Sequence, residues 1–194
     1  MPRSRSRDPD TITTTAPLRL YTIGHSTRTA EELIALLQAH RVVQLADVRT
    51  VPKSRRFPQF NTDALADRLP QDEIAYRHMP ALGGLRKPRR DSINSAWQNE
   101  SFRGYADYMS TDAFKTGLED LLAYAREGGT TAIMCAEAVW WSCHRRLLAD
   151  ALLVRGIEVR HIMSATKADP HELTPFARVH NEQVTYPGLL DQQE

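Results

Sequence analysis

The stretch LRLYTIGHSTRTAEELIALLQAHRVVQLADV, residues 18–48, decides how this chain folds. Leu18, Leu20, Tyr21 and Ile23 make a short strand that ends at Gly24-His25-Ser26. Thr29 stands where a helix N-cap is needed, and Glu32 follows three residues later. At that spacing each side chain can satisfy a backbone N–H that the first helical turn leaves free. Leu33, Ile34, Leu36 and Leu37 then recur along one helical face. Val42, Val43, Leu45, Ala46 and Val48 form a nearly unbroken apolar run, the pattern of a strand buried on both faces. A strand, a helix and a doubly buried strand in succession are the repeating unit of a parallel sheet.

The alternation continues outward. Asn61 or Thr62 is expected to cap a short helix through Leu65 and Leu69, and a brief strand follows at 74–78. The stretch 102–110 reads as a helix or turn. Thr111 caps a longer helix carrying Phe114, Leu118, Leu121, Leu122 and Ala125, which Gly128-Gly129 stops. Residues 130–134 are another buried strand. A helix beginning near Cys143 turns Leu147, Leu148, Ala151 and Leu152 inward until Gly156, and 157–162 form a last strand. The fold class expected is α/β: a mostly parallel sheet with helices on both faces, a Rossmann-like three-layer arrangement. Ligands bind such sheets beyond the strand carboxyl ends. Residues 1–17 read as a disordered tail rich in Arg, Ser, Thr and Asp, 18–164 as one domain, and 165–194 as a loosely packed extension punctuated by Pro170, Pro175 and Pro187.

Composition narrows the class further. The chain has 194 residues, 41% hydrophobic and 25% charged, with a formal net charge of +1. That fits one globular domain and excludes a disordered or fibrous chain. No apolar run approaches the roughly 20 residues that cross a bilayer, so no membrane partner is expected. Arg3, Arg5 and Arg7 are not followed by an apolar stretch, so no secretory leader is read. Two cysteines cannot staple a fold of this size, which points to a reducing, cytoplasmic setting. No cofactor is expected.

The chemistry-bearing residues fall at strand ends. His25 and Ser26 follow the first strand, Asp47 and Arg49 close the second, Gly83-Gly84 lie beyond the third, and Cys135 and Glu137 follow the fourth. The most informative segment is Cys135-Ala-Glu137-Ala-Val-Trp-Trp-Ser-Cys143-His144-Arg145, between a strand and a helix. Free N–H groups at a helix N-terminus attract an anion, and they lower the pKa of a neighbouring thiol. Cys135, Glu137 and His25 are therefore the catalytic candidates. Arg49, Arg55, Ser26, His144 and Arg145 are the anion-binding candidates, with an arginine fork suited to phosphate or carboxylate. The bland alternatives are a buried inert thiol at Cys135 and a structural ion pair from Glu137 to Arg49 or Arg145.

The partner expected first is an anionic small molecule, phosphorylated or nucleotide-like. A second reading is nucleic-acid binding. The loops 49–60 and 80–90 hold eight Lys and Arg residues and no acid, and Phe57, Tyr105, Trp140 or Trp141 would stack bases. A third reading is a metal or thiol-redox centre at Cys135, Cys143 and His144. Sulfur with imidazole suits zinc or iron, although the spacing matches no standard finger.

These motifs together resemble the family called domain of unknown function 488. The resemblance runs from about Leu20 to Ile162. It rests on Thr22-Ile-Gly-His-Ser26, Asp47-Val-Arg49, Pro52 with Ser54-Arg55, and Phe60-Asn61. It continues in Leu82-Gly83-Gly84, Phe102-Arg-Gly104-Tyr105 with Tyr108-Met109, Cys135-Ala-Glu137 and Cys143-His-Arg145. The resemblance implies the α/β fold and no particular reaction. The family pattern constrains the loop Ala138–Ser142 least, and its Val139-Trp140-Trp141 suggests an aromatic wall rather than a small, open anion pocket.

Overall fold

The first strand–helix–strand unit forms as its sequence dictates. Strand β1 spans Arg19–Gly24, helix α1 Ala30–Ala39 and strand β2 Gln44–Asp47. The capping box at the start of α1 is complete: Thr29 accepts from the Glu32 N–H, and the Glu32 carboxylate accepts from the Thr29 N–H. The computed structural model describes residues 17–188. Residues 1–16 and 189–194, and with them most of the expected N-terminal tail, lie outside the described residues.

Next come α2 (Thr62–Arg68), β3 (Ala75–His78), α3 (Glu100–Tyr108), α4 (Asp112–Gly128), β4 (Thr131–Cys135), α5 (Arg145–Leu153) and β5 (Glu158–Ser164). The sheet order is β3-β2-β4-β1-β5-β6, where β6 is Lys167–Pro170. β1 to β5 run parallel, and β6 closes the edge antiparallel to β5. This is the mostly parallel, three-layer α/β fold read from the sequence.

Period-two alternation sorts the strand residues between two apolar layers. Leu45, Ala132 and Met134 pack with Leu33, Ile34 and Leu37 of α1 and Leu65 of α2. Ala46 and Ile133 face the other way, toward Tyr105 of α3, Phe114, Leu118 and Leu121 of α4, and Leu147, Leu148 and Leu152 of α5. All five residues of β4 are buried, which explains the apolar run from Ala132 to Cys135, and Thr131 at its start donates to the Gln44 side chain. Each fully buried Leu or Ile on these faces contributes about 1.5–3 kcal/mol.

Three local expectations differ from the structure. Asn61 occupies the N-cap of α2 but makes no side-chain cap; its Oδ1 accepts from the Ser54 N–H at 2.6 Å and pins the first basic loop. That helix ends at Arg68, with Leu69 beginning a separate 3-10 turn. The expected loosely packed extension, for its part, supplies β6 to the sheet through residue 170 and a hairpin of β7 (Arg178–His180) and β8 (Gln183–Thr185). Val184 within β8 and Tyr186 just after it are buried in the core. Among the described residues, no helix is long and apolar enough to cross a membrane.

Candidate functional site

The chain path brings three strand ends together. β4 inserts between β2 and β1, in a register that sets Gly24 beside Cys135 and Asp47 beside Met134. The His25 N–H then donates to the Cys135 carbonyl at 3.0 Å and the Ser26 N–H to the Ala136 carbonyl at 2.8 Å. Ser26 takes a left-handed φ of 51° to make that crossing. Any Cβ at Gly24 would strike the Glu137 carbonyl, so only glycine lets β1 approach the loop after β4 this closely.

The loop from Cys135 folds back through a 3-10 turn at Trp140–Ser142, and its two cysteines meet at one end of a cleft. The His144 Nδ1 lies 3.6 Å from the Cys143 Sγ and 3.8 Å from the Cys135 Sγ. The Arg145 Nε donates to the Cys143 Sγ at 3.3 Å, and a second guanidinium nitrogen donates to the Glu137 carbonyl at 2.5 Å. α5 begins at Arg145, two residues after Cys143, and the Arg146 N–H donates to the Cys143 backbone carbonyl at 3.0 Å. Both cysteines are free thiols.

The sulfurs are electrostatically unequal. The hydrogen bond from the Cys135 S–H to the Cys143 sulfur, reinforced by burial, pushes the Cys135 thiol far up. The same bond holds Cys143 far below an ordinary thiol against the opposing effect of burial, with help from His144 and Arg145. Arg145 is thus engaged by a sulfur and a backbone carbonyl of the chain itself. His144 Nε2 is buried and makes no hydrogen bond. The tautomer with a proton on Nδ1 donates toward the sulfurs and leaves Nε2 a bare acceptor, which is cheaper to leave unpaired than an N–H.

Arg49 sits across the cleft, and each of its three guanidinium nitrogens has a partner in the chain. Its guanidinium donates twice to the Asp47 carboxylate, at 2.8 and 2.5 Å, and also to the Phe60 carbonyl at 2.7 Å. Its remaining arm donates to His25 Nε2 at 3.2 Å, while His25 Nδ1 donates to the Ser26 carbonyl at 3.0 Å. Burial, then the Arg49 charge, lowers the His25 pKa to about 4, so the ring is neutral at pH 7 and both its nitrogens are in use. The Asp47 carboxylate is completely buried and also accepts from the Tyr76 hydroxyl at 2.8 Å.

The cleft has a volume of about 370 Å³, within the range of small-molecule sites. Of the residues singled out from sequence, Arg49, Cys135, Glu137, Cys143 and His144 line it. Arg145 and His25 stand behind it. Arg55 is exposed on the first basic loop and is not among the lining residues. The Glu137 side chain is exposed, and in place of an ion pair with Arg145 its backbone carbonyl takes the bond. Of the expected base-stacking rings, Tyr105 is fully buried with its hydroxyl on the Leu82 carbonyl, and Trp140 lies flat on His161 at 4.0 Å.

Sequence reasoning missed the roles of Tyr76, the Phe60 carbonyl and Gly84, and the place of Phe102 in the cleft lining. A Cβ on Gly84 would collide with the His144 ring. The doubled glycine after β3 was the available signal: it marks a close approach whose partner only the fold reveals.

The family model described as Domain of unknown function DUF488 matches residues 29–152. The chain belongs to this family. The matched span of the DUF488 chain holds α1 to α4 and carries Asp47, Arg49, Gly84, Cys135, Cys143, His144 and Arg145. No curated protein and no solved structure matches the chain.

Proposed function

We propose that this DUF488 protein is a dithiol centre that exchanges with a disulfide bound in the strand-end cleft, Cys143 attacking and Cys135 resolving. The carrying observation is the set of donors around one sulfur. Cys143 Sγ receives Arg145 Nε at 3.3 Å and faces His144 Nδ1 at 3.6 Å at the head of a helix, with the Cys135 sulfur in the same cluster. Positive charge and a helix N-terminus are what make a cysteine nucleophilic near pH 7.

In this reading the Cys143 thiolate attacks one sulfur of the substrate disulfide. The S–S bond breaks, and one half leaves as a thiolate. Cys135 then attacks the Cys143 sulfur and expels the other half, its own proton passing to a departing thiolate. The chain is left with a Cys135–Cys143 disulfide, the substrate gains two electrons as a pair of thiols, and an external dithiol restores the starting state.

Arg49, held by Asp47, His25 and the Phe60 carbonyl, shapes the wall opposite. The anionic ligand expected from the sequence draws support from Arg49 lining the cleft. The engagement of both guanidiniums with acceptors of the chain weighs against it.

A small aromatic disulfide tests the reading. With the native chain the expected product is the intramolecular disulfide and two equivalents of released thiol. Cys135→Ser should instead trap a stable mixed disulfide on Cys143, identified by peptide mass. A mixed disulfide on Cys135 in Cys143→Ser of equal rate, or two unreactive thiols, sinks the assignment.

A further inference from the structure

The donor atoms beside the cleft are also spaced as ligands of one metal ion. Tetrahedral zinc, with Zn–S of about 2.3 Å and Zn–N of about 2.0–2.1 Å, holds its sulfur and nitrogen ligands about 3.6 Å apart. His144 Nδ1 lies 3.6 Å from the Cys143 Sγ and 3.8 Å from the Cys135 Sγ, and the three donor atoms all fall within 4.8 Å of one another. We propose that Cys135, Cys143 and His144 form a mononuclear site for a soft divalent cation, zinc above all, with its fourth coordination position supplied from the cleft. A metal held here uses the same two sulfurs as the exchange chemistry but does not depend on it.

The donor set selects the ion. Two sulfurs and an imidazole, with no carboxylate in the group, suit zinc and disfavour magnesium or calcium. Three protein ligands rather than four leave the coordination incomplete, the pattern of catalytic rather than structural zinc. All three residues line the cleft, so water or a small ligand entering it completes the shell. The charge balances as well. Ligation takes both cysteines as thiolates, whose two negative charges neutralise the dication, with the Arg145 guanidinium beside the Cys143 sulfur. Gly84 leaves the space that the imidazole needs.

One feature limits affinity. Ligation through Nδ1 puts the ring proton on Nε2, where no acceptor waits. Lack of that outer-shell partner lowers affinity about 10–100-fold relative to a supported histidine. The site is therefore exchangeable, and strong chelators should empty it.

The test uses the full chain, reduced and stripped with chelator. Zinc is titrated in competition with a chromophoric chelator, and cobalt(II) is titrated by absorption. The expected result is one ion per chain, with thiolate-to-cobalt charge transfer and the intense visible bands of a four-coordinate ion. Those bands should shift when a small exogenous thiol occupies the open position. Cys135→Ser and His144→Ala should each weaken binding at least about tenfold, consistent with the loss of one ligand. Gly84→Ala, which keeps all three ligands, should weaken it by crowding the imidazole, and thermal unfolding of each variant confirms folding. A stoichiometry near zero, unchanged binding in both ligand variants, or the weak bands of octahedral cobalt overturns the site. If Cys135→Ser traps the mixed disulfide yet the native chain binds no ion, the metal site fails and the exchange chemistry stands. If the native chain binds one ion yet Cys135→Ser traps no mixed disulfide, the metal site stands and the exchange chemistry fails.

Discussion

Two polar clusters lie on the inner side of the loop from Cys135 to Arg145, and they are built differently. One is the open group of Cys135, Cys143 and His144 at the cleft. The other is sealed: Thr22 Oγ1 meets His161 Nδ1 at 2.7 Å, His161 Nε2 meets His171 Nδ1 at 3.0 Å, and His171 Nε2 meets Asp150 Oδ1 at 2.8 Å. Asp150 also accepts from the Thr174 N–H at 3.0 Å and the Tyr186 hydroxyl at 2.8 Å. In the sealed chain each imidazole can donate once and accept once, and no polar atom is left over. In the open cluster one imidazole nitrogen has no partner and two thiols are driven apart in acidity. A network satisfied throughout stabilises one structure; an unsatisfied one beside a cleft is available for chemistry. Trp140, stacked on His161, joins them, so the sealed chain braces the loop that carries the open one.

The sharpest way to break this contrast is Asp150→Ala. It strands three buried donors and should cost about 3–5 kcal/mol, read from urea unfolding. A loss under about 1 kcal/mol would mean the sealed chain is not structural.

Acid provides the next largest effect. Burial, then His171, lowers the His161 pKa to about 3, and His25 falls to about 4. Both titrate near 6.5 when the chain unfolds, so the unfolded state binds more protons and stability rises with pH across this window. Going down from pH 6.5, each ring should remove about 1.4 kcal/mol per pH unit until its folded pKa is reached. A flat stability profile between pH 6.5 and 5 would contradict the buried neutral rings.

Gly84→Ala should act on the open cluster alone. Its Cβ displaces the His144 ring, so Cys143 should react several-fold more slowly with an aromatic disulfide, at a cost of about 1–3 kcal/mol in stability for the overpacking. An unchanged rate would mean that His144 does not activate Cys143. The smallest change is expected from Glu137→Gln. Arg145 holds the backbone carbonyl of residue 137, so the reaction rate of Cys143 should stay within error of the native value. A large slowing would return the carboxylate to the centre of the site.

The α1 unit was legible because its signals are local. Thr29 and Glu32 cap one helix end whatever the rest of the chain does, and the strand read at 130–134 has few alternatives to burial once Ala132, Ile133 and Met134 follow one another. The convergence of His25, Arg49 and Cys135 on one sheet edge was legible for the same reason, since each follows a recognisable strand. What each side chain does there was not. Arg49 and Arg145 were both read as anion-binding arginines, yet one is clamped by a buried carboxylate and the other by a sulfur and a carbonyl. The Asn61 cap failed likewise: its oxygen had a better partner in Ser54, seven residues back across the loop.

The sequence by itself determined the elements, the doubly covered parallel sheet and the edge at which the unusual residues gather, because periodicity and capping act over a few residues. Only the tertiary structure decided that β4 enters between β1 and β2, an order that no local signal encodes. That single insertion sets Gly24 against the loop of Glu137, leaves the space at Gly84 for His144, and folds the two cysteines onto one imidazole. The chemistry of the site is a consequence of packing between segments distant in sequence, and distance in sequence is what local physics cannot span.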